Sequence, residues 1–214
     1  MLKAERISVM NLENAIRGAR NPLNSWARMD SYYDEDGDFV LGDNDIALAT
    51  KLAKAGSDHR KFLRQVFVSM DITAPLYWWK EFDTYKVGTV ANSTSTMHKI
   101  HSKPFTREDF SYDRMDEGGL RMLDAVVAYL EEERLRFIEN KEDRTPWHNI
   151  IQMLPTSYNQ MRTVTMNYEN LINIYYARRN HKLAEWHTLC AWIMSLPYAE
   201  QLIAVKGESA PEQH

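Results

Sequence analysis

Three polar residues near the C-terminal end carry the plainest chemical signal in the sequence. Asn167, Asn173 and Arg178 fall at i, i+6 and i+11. At about 100° per residue, Arg178 comes within roughly 20° of Asn167 on a helix, while Asn173 points about 240° away. A guanidinium on such a face suits a phosphate or a carbonyl-rich ring through its forked donors, and the same spacing also suits a surface arginine of the Arg178-Arg179 pair. Other constellations fail on spacing. His98 with His101 and His181 with His187 lack a third ligand, so no metal site is predicted. Ser95, His98 and Asp83 could be assembled into a hydrolase triad, yet no nucleophile elbow brackets any serine. Glu117-Gly118-Gly119 has neither P-loop nor dinucleotide spacing. Asp34, Asp36 and Asp38 alternate as in a calcium loop, but Gly37 falls fourth where glycine must be sixth, and Asp45 stands where a glutamate is required. Asp36-Gly37 reads instead as the turn of a solvated hairpin.

The elements that position these residues follow from periodicity. Ile46, Ala49, Leu52 and Ala53 mark a helix from Asp43 that stops at Gly56, with a further helical turn near Asp58. Val66 to Ile72 reads as a strand, and Ala74-Pro75 opens an aromatic helix with Leu76, Tyr77, Trp78, Trp79 and Phe82. Gly88 to Met97 holds five hydroxyls without a hydrophobic period and reads as a loop. Leu120, Leu123, Val127, Leu130 and Phe137 form the stripe of a long helix whose run Glu131 to Arg134 reads as a solvated face. A helix follows Pro146 and ends before Leu154-Pro155, Met161 to Met166 reads as a strand, and Asn167 starts a helix burying Leu171, Ile174 and Tyr175. The last helix runs from Lys182 to Ser195. The expected class is α+β, with helices packed around a modest mixed or antiparallel sheet.

Composition bounds the rest. The 214 residues are 44% hydrophobic and 26% charged, enough for one sizeable core and inconsistent with disorder. No Pro/Gly/Ser-rich stretch marks a linker, so residues 1–205 are expected to form one domain and 206–214 a frayed tail. Twenty-six Lys and Arg against 30 Asp and Glu give a net charge of -4, a poor footprint for a nucleic-acid polymer or a membrane surface. Cys190 is the only cysteine, which excludes a disulfide scaffold within one chain and suits a reducing compartment. With no signal-like start and no apolar run of spanning length, a cytoplasmic protein is expected.

Several separated patches, in order, resemble the flavin-dependent thymidylate synthases. The helix from Asp45 to Gly56 followed by His59 is similar to that family's helix leading to a flavin-contacting histidine. Val66 to Trp79, with Phe67 and Ala74-Pro75, resembles its strand and the helix before its signature. Leu154-Pro155, Asn167, Leu171, Asn173, Arg178, Ala184 and Trp186 fall at family spacings. The likeness covers residues 40–195. It implies a divergent enzyme that methylates deoxyuridylate (dUMP), or a related pyrimidine nucleotide, at C5, using FAD, methylenetetrahydrofolate and NADPH. It also implies a homotetramer. On this reading His59, Asn167 and Asn173 contact the flavin and Arg178 serves the nucleotide as the catalytic and binding arginine. Ser93, Thr94 and Ser95 would hold phosphate or pyrimidine edges.

The departures fall where charge is expected. The Arg-His-Arg signature is replaced by Thr84-Tyr85-Lys86, and an ungapped count puts Thr94 at the signature serine. The Glu-His before the strand is Arg64-Gln65, and two further arginine positions hold Ile151 and Glu169. These losses support an alternative on the same fold, a catalytically degenerate or repurposed flavin- or nucleotide-binding or assembly module of a phage or mobile element.

Overall fold

The computed structural model describes residues 2–205. In chain order it contains β1 (Lys3–Met10), α1 (Leu12–Ala19), β2 (Tyr32–Tyr33), β3 (Phe39–Val40), α2 (Asp43–Lys54), β4 (Phe67–Pro75), α3 (Leu76–Phe82), β5 (Val90–Ser93), α4 (Glu117–Glu139), α5 (Thr145–Met153), β6 (Asn159–Asn167), α6 (Tyr168–Arg178), α7 (Ala184–Met194) and α8 (Ala199–Leu202). Short 3-10 helices intervene, among them Arg60–Gln65. The α+β expectation holds: helices accompany a four-stranded sheet of order β1-β4-β6-β5. The tail expected to fray lies outside the described residues.

Two compact units are distinguished. One comprises Ile72–Thr84 and Asn92–Thr163 with the start of the chain, and the other Ala4–Asp71, Tyr85–Ala91 and the described chain from Val164. We call them the first and second units. The first has its core around Ile100, Phe105, Phe110, Leu123, Leu130 and Ile150, where α4 packs on α5. Trp78, Trp79 and Phe82 of α3, in the same unit, are also buried, their rings 4.9 to 5.2 Å apart. The charge run of α4 departs from expectation, because Glu133 and Arg134 are buried. Glu133 accepts from Arg136 and from Asn149 of α5, while Arg134 donates twice to Glu131, whose carboxylate also accepts from the Phe105 backbone. Local pairing makes burial of these charges tolerable, and it answers to residues that no helical periodicity reveals.

In the second unit the strand over β4 alternates as its sequence does, burying Val68 and Met70 while Ser69 reaches Thr165 of β6 at 2.9 Å. Its helices include α2, which starts at Asp43 as expected and carries the fully buried Asp45. That carboxylate accepts from Arg20 at 2.6 Å, from the Ser31 hydroxyl at 2.6 Å and from the backbone of Asp30 and Ser31. Burial alone would raise its pKa, yet these donors outweigh it and hold the group below the usual carboxylate value. The hairpin expected over the acidic patch is present, with Tyr32 opposite Val40 and Tyr33 opposite Phe39, and Gly37 at φ +84° turns it. The expected loop from Gly88 contains β5 instead. All four of its residues are exposed, so it lacks the hydrophobic alternation by which strands are read from sequence.

Candidate functional site

The second unit brings several expected site residues onto neighbouring elements. His59 is exposed and immediately precedes the 3-10 helix Arg60–Gln65, which packs on α6. Asn173 is exposed on α6 and Arg178 closes that helix. Asn167 is not on the helix face. It is the N-cap, buried, and its side-chain oxygen accepts the Asn170 backbone N–H at 3.0 Å while Asn170 returns a bond to the Asn167 backbone N–H at 3.1 Å. This reciprocal cap explains why an asparagine starts the helix, since it satisfies two backbone donors that the helix leaves unpaired. The face shared by Asn167 and Arg178, expected from helical angle alone, is therefore corrected, because a cap residue lies outside the helical repeat.

The Asn170 amide also donates to the Val87 carbonyl at 2.6 Å, which ties the segment after Tyr85 against the start of α6. Gly88 turns there at φ +68°, and a Cβ on it would meet the Asn167 amide nitrogen at 3.0 Å. Only glycine accommodates both the backbone angle and the approach.

Arg178 is half-buried rather than a loose surface charge. Its Nε donates to the Tyr85 hydroxyl at 2.9 Å, and its guanidinium carbon lies 4.7 Å from the centre of the Trp186 ring and 5.6 Å from that of Tyr85. The two rings themselves are 6.0 Å apart and tilted by 66°. Packing of α6 on α7 sets this pair, because Arg178 ends one helix and Trp186 is fully buried on the other. A cation at a helix C-terminus is further favoured by the helix dipole. Spacing singled out Arg178 and Trp186, whereas Tyr85 figured only as a departure from the family signature.

Glu169 accepts from Arg60 Nε at 3.0 and 3.1 Å. Where the family resemblance implies an arginine on α6, this chain has a carboxylate paired with a cation from the 3-10 helix. Ile151, at another such position, packs against the core of the first unit.

Of the five hydroxyls expected in that loop, Ser93 to Thr96 belong to the first unit and Thr89 to the second. Thr94 is turned to the sheet, its backbone N–H and hydroxyl both donating to the Met161 carbonyl at 2.9 and 3.2 Å. Ser95 Oγ accepts the backbone N–H groups of Met97 and His98, at 3.1 and 2.8 Å. Ser93 is exposed at the end of β5. The same unit has an open cavity of about 360 Å³ lined by Tyr77, Asp113, Arg114 and Thr156 among others, and none of the expected site residues lines it.

Cys190 offers no nucleophile, because burial pushes its thiol up to about 11 and keeps it protonated at neutral pH. Among the described residues no three His, Cys, Asp or Glu side chains gather as a metal ion would need.

Thr89 tests whether the residues present suit a flavin. Its hydroxyl is buried and makes no hydrogen bond among the described residues, in the segment that Gly88 bends against the start of α6. An unsatisfied buried hydroxyl is costly unless a ligand completes it. Such an orphaned hydroxyl fits the polar edge of a flavin ring, and Asn173 and His59 of the same unit are further exposed polar side chains. For the phosphates, Lys61 and Arg64 of the 3-10 helix and Lys86 supply exposed cations.

No protein-family model matches the chain, and no curated protein sequence matches it. Solved structures do. The chain is similar to the flavin-dependent thymidylate synthase ThyX from Helicobacter pylori complexed with FAD and dUMP, at TM-score 0.66 and 17% identity, over 97% of this chain and 99% of that one. A second structure of ThyX from that organism with FAD and dUMP gives 0.68 and 16%, over 98% and 100%. A UMP/dUMP methylase, PolB from Streptomyces cacaoi bound with 5-Br dUMP, gives 0.64 and 15%, over 99% and 98%. The chain has the fold of these proteins across its length.

Proposed function

We propose that this chain is a divergent flavin-dependent pyrimidine-nucleotide methylase, acting at C5 of dUMP or a close relative. The observation that carries the reading is Arg178, fixed between Tyr85 and Trp186 at the end of α6, on a fold whose solved examples hold FAD and dUMP. The reading rests on the fold for the reaction class and on this chain's own residues for the contacts.

Arg178 binds and orients the pyrimidine ring. Its charge stabilises the negative charge that develops on the ring carbonyl and imide when C5 becomes nucleophilic, and a preorganised donor does this with little reorganisation. His59, Asn167, Asn173 and Thr89 hold the flavin, Asn167 through the amide nitrogen, since its oxygen serves the cap. FAD would supply the electrons that reduce the one-carbon unit delivered from methylenetetrahydrofolate, with NADPH as the source of hydride. Of the three hydroxyls expected to hold phosphate, Thr94 is committed to the Met161 carbonyl and Ser95 accepts two backbone N–H groups. A homotetramer is part of the proposal, by resemblance alone.

A second reading is favoured by Glu169 and Ile151. With a carboxylate on Arg60 and an isoleucine in a core, two cations of the family's phosphate clamp are absent, which suits a module that binds a nucleotide without catalysing its methylation. Growth of a thymidine-requiring strain carrying this chain tests the choice: rescue supports the methylase, and no rescue by well-expressed protein that binds dUMP supports the binding module.

A further inference from the structure

Tyr85 has no counterpart in the chemistry so far assigned, yet it is in direct contact with Arg178. Its hydroxyl accepts the Nε–H at 2.9 Å, while Trp186 lies 4.7 Å from the guanidinium carbon. Those two contacts act in different directions. The hydrogen bond fixes rotation about the terminal bonds of the arginine, and the ring contact fixes the height of the guanidinium over the indole. An arginine side chain otherwise samples many rotamers, and a ligand would have to offset the loss of that freedom on binding.

Tyr85 is itself held in place. Its ring stands 6.0 Å from Trp186, tilted by 66°, an edge-to-face arrangement. Two residues further on, the Val87 carbonyl takes the Asn170 amide, and Gly88 bends against Asn167. The helix cap at the start of α6 thus anchors the segment that carries Tyr85, and Tyr85 in turn orients the arginine at the end of the same helix.

We infer that Tyr85 is a positioning residue for nucleotide recognition, acting through Arg178 by accepting its Nε–H and setting the plane in which the guanidinium meets a pyrimidine nucleotide. This inference rests on the proposed nucleotide site. It assigns Tyr85 no contact with the ligand and no proton transfer. It requires that Tyr85 and Arg178 work as one unit, so that losing the hydroxyl matters only while the guanidinium is there to be oriented.

A double-mutant cycle reads this coupling. Wild type, Tyr85→Phe, Arg178→Ala and the double variant are titrated with dUMP by calorimetry, and with UMP as a second probe. Removal of only the hydroxyl leaves the ring against Trp186, and far-UV circular dichroism checks that each variant is folded. The expected result is a three- to tenfold loss of affinity in Tyr85→Phe and no additional loss when the same change is made in Arg178→Ala. A second readout needs no nucleotide: the Arg178 Nε–H cross-peak, assigned by its disappearance in Arg178→Lys, should be protected from solvent exchange in wild type and lose that protection in Tyr85→Phe.

The outcomes separate. Equal dUMP affinity of wild type and Tyr85→Phe overturns the positioning role while leaving the nucleotide site standing, and so does an equal loss in both backgrounds, which would mark a structural tyrosine. Unchanged protection of the Nε–H in Tyr85→Phe overturns it too. Absence of binding by wild type to either nucleotide overturns the nucleotide site itself and the role with it.

Discussion

At the residue scale, the proposed site consists of one guanidinium and a few polar side chains. Arg178 stood out through its spacing and the family resemblance, although the helical face expected to join it to Asn167 is not kept; its partner Tyr85 did not stand out, because 93 residues separate them and no local pattern links the two. Removing Arg178 as alanine should cost about 1.5 to 3 kcal/mol of nucleotide binding, roughly ten- to hundredfold in Kd. Lysine should recover only part of that, since an ammonium lacks the Nε–H that meets Tyr85 and the planar fork. Calorimetric titration of dUMP into the three proteins checks this, and equal affinities would reduce Arg178 to a structural cation. His59 and Asn173 are exposed, so their replacement by alanine should leave helix content intact while lowering FAD occupancy, read from the ratio of flavin to protein absorbance. Unchanged occupancy in both variants would remove them from the flavin site.

At the element scale, strands and helices with a buried stripe were readable and those without one were not. The strand of β4 follows its alternation closely, and α2 and α6 form where their apolar residues predict helices, although α2 buries Asp45 with Ala49 and Ala53 and α6 buries Glu169 with Leu171 and Ile174. By contrast β1 and β5, which form the ends of the strand order, are largely exposed, and an edge strand need not alternate. Buried charge was equally hidden. Asp45 sits in the first turn of α2 where an acidic residue is expected for the helix dipole, and nothing local announces that Arg20 and Ser31 will enclose it. Asp45→Ala should destabilise the protein by about 3 to 5 kcal/mol, because Arg20, itself buried, loses its carboxylate. Chemical denaturation of the variant measures this, and a loss below about 1 kcal/mol would show that the pair is not a keystone of the second unit.

At the scale of the whole molecule, the fold class and the family likeness were both legible, since separated patches kept their order and solved structures match nearly the full length of the chain. The two compact units were not, since each is assembled from discontinuous stretches that only tertiary contact defines. Stability of the molecule should fall on the acid side in a way that His101 reports. Burial, with Lys141, Lys99, Arg134 and Arg144 around it, holds that imidazole below its ordinary value of 6.5. The unfolded chain therefore takes up the proton first. The contribution of the neutral ring is complete above about pH 6.5, declines as pH drops below it, and levels off once the folded protein is protonated as well. Denaturant midpoints from pH 8 to 5 should decline in wild type and decline less in His101→Gln; parallel curves would contradict the assignment.

The most direct test of the central claim is optical. Purified protein mixed with FAD and freed of excess should retain a flavin absorbance band, and titrated dUMP should then perturb that band saturably, because the proposed function puts the flavin ring and the pyrimidine in one site. Colourless protein after incubation with FAD, or a flavin band indifferent to dUMP and UMP alike, would contradict the proposed function.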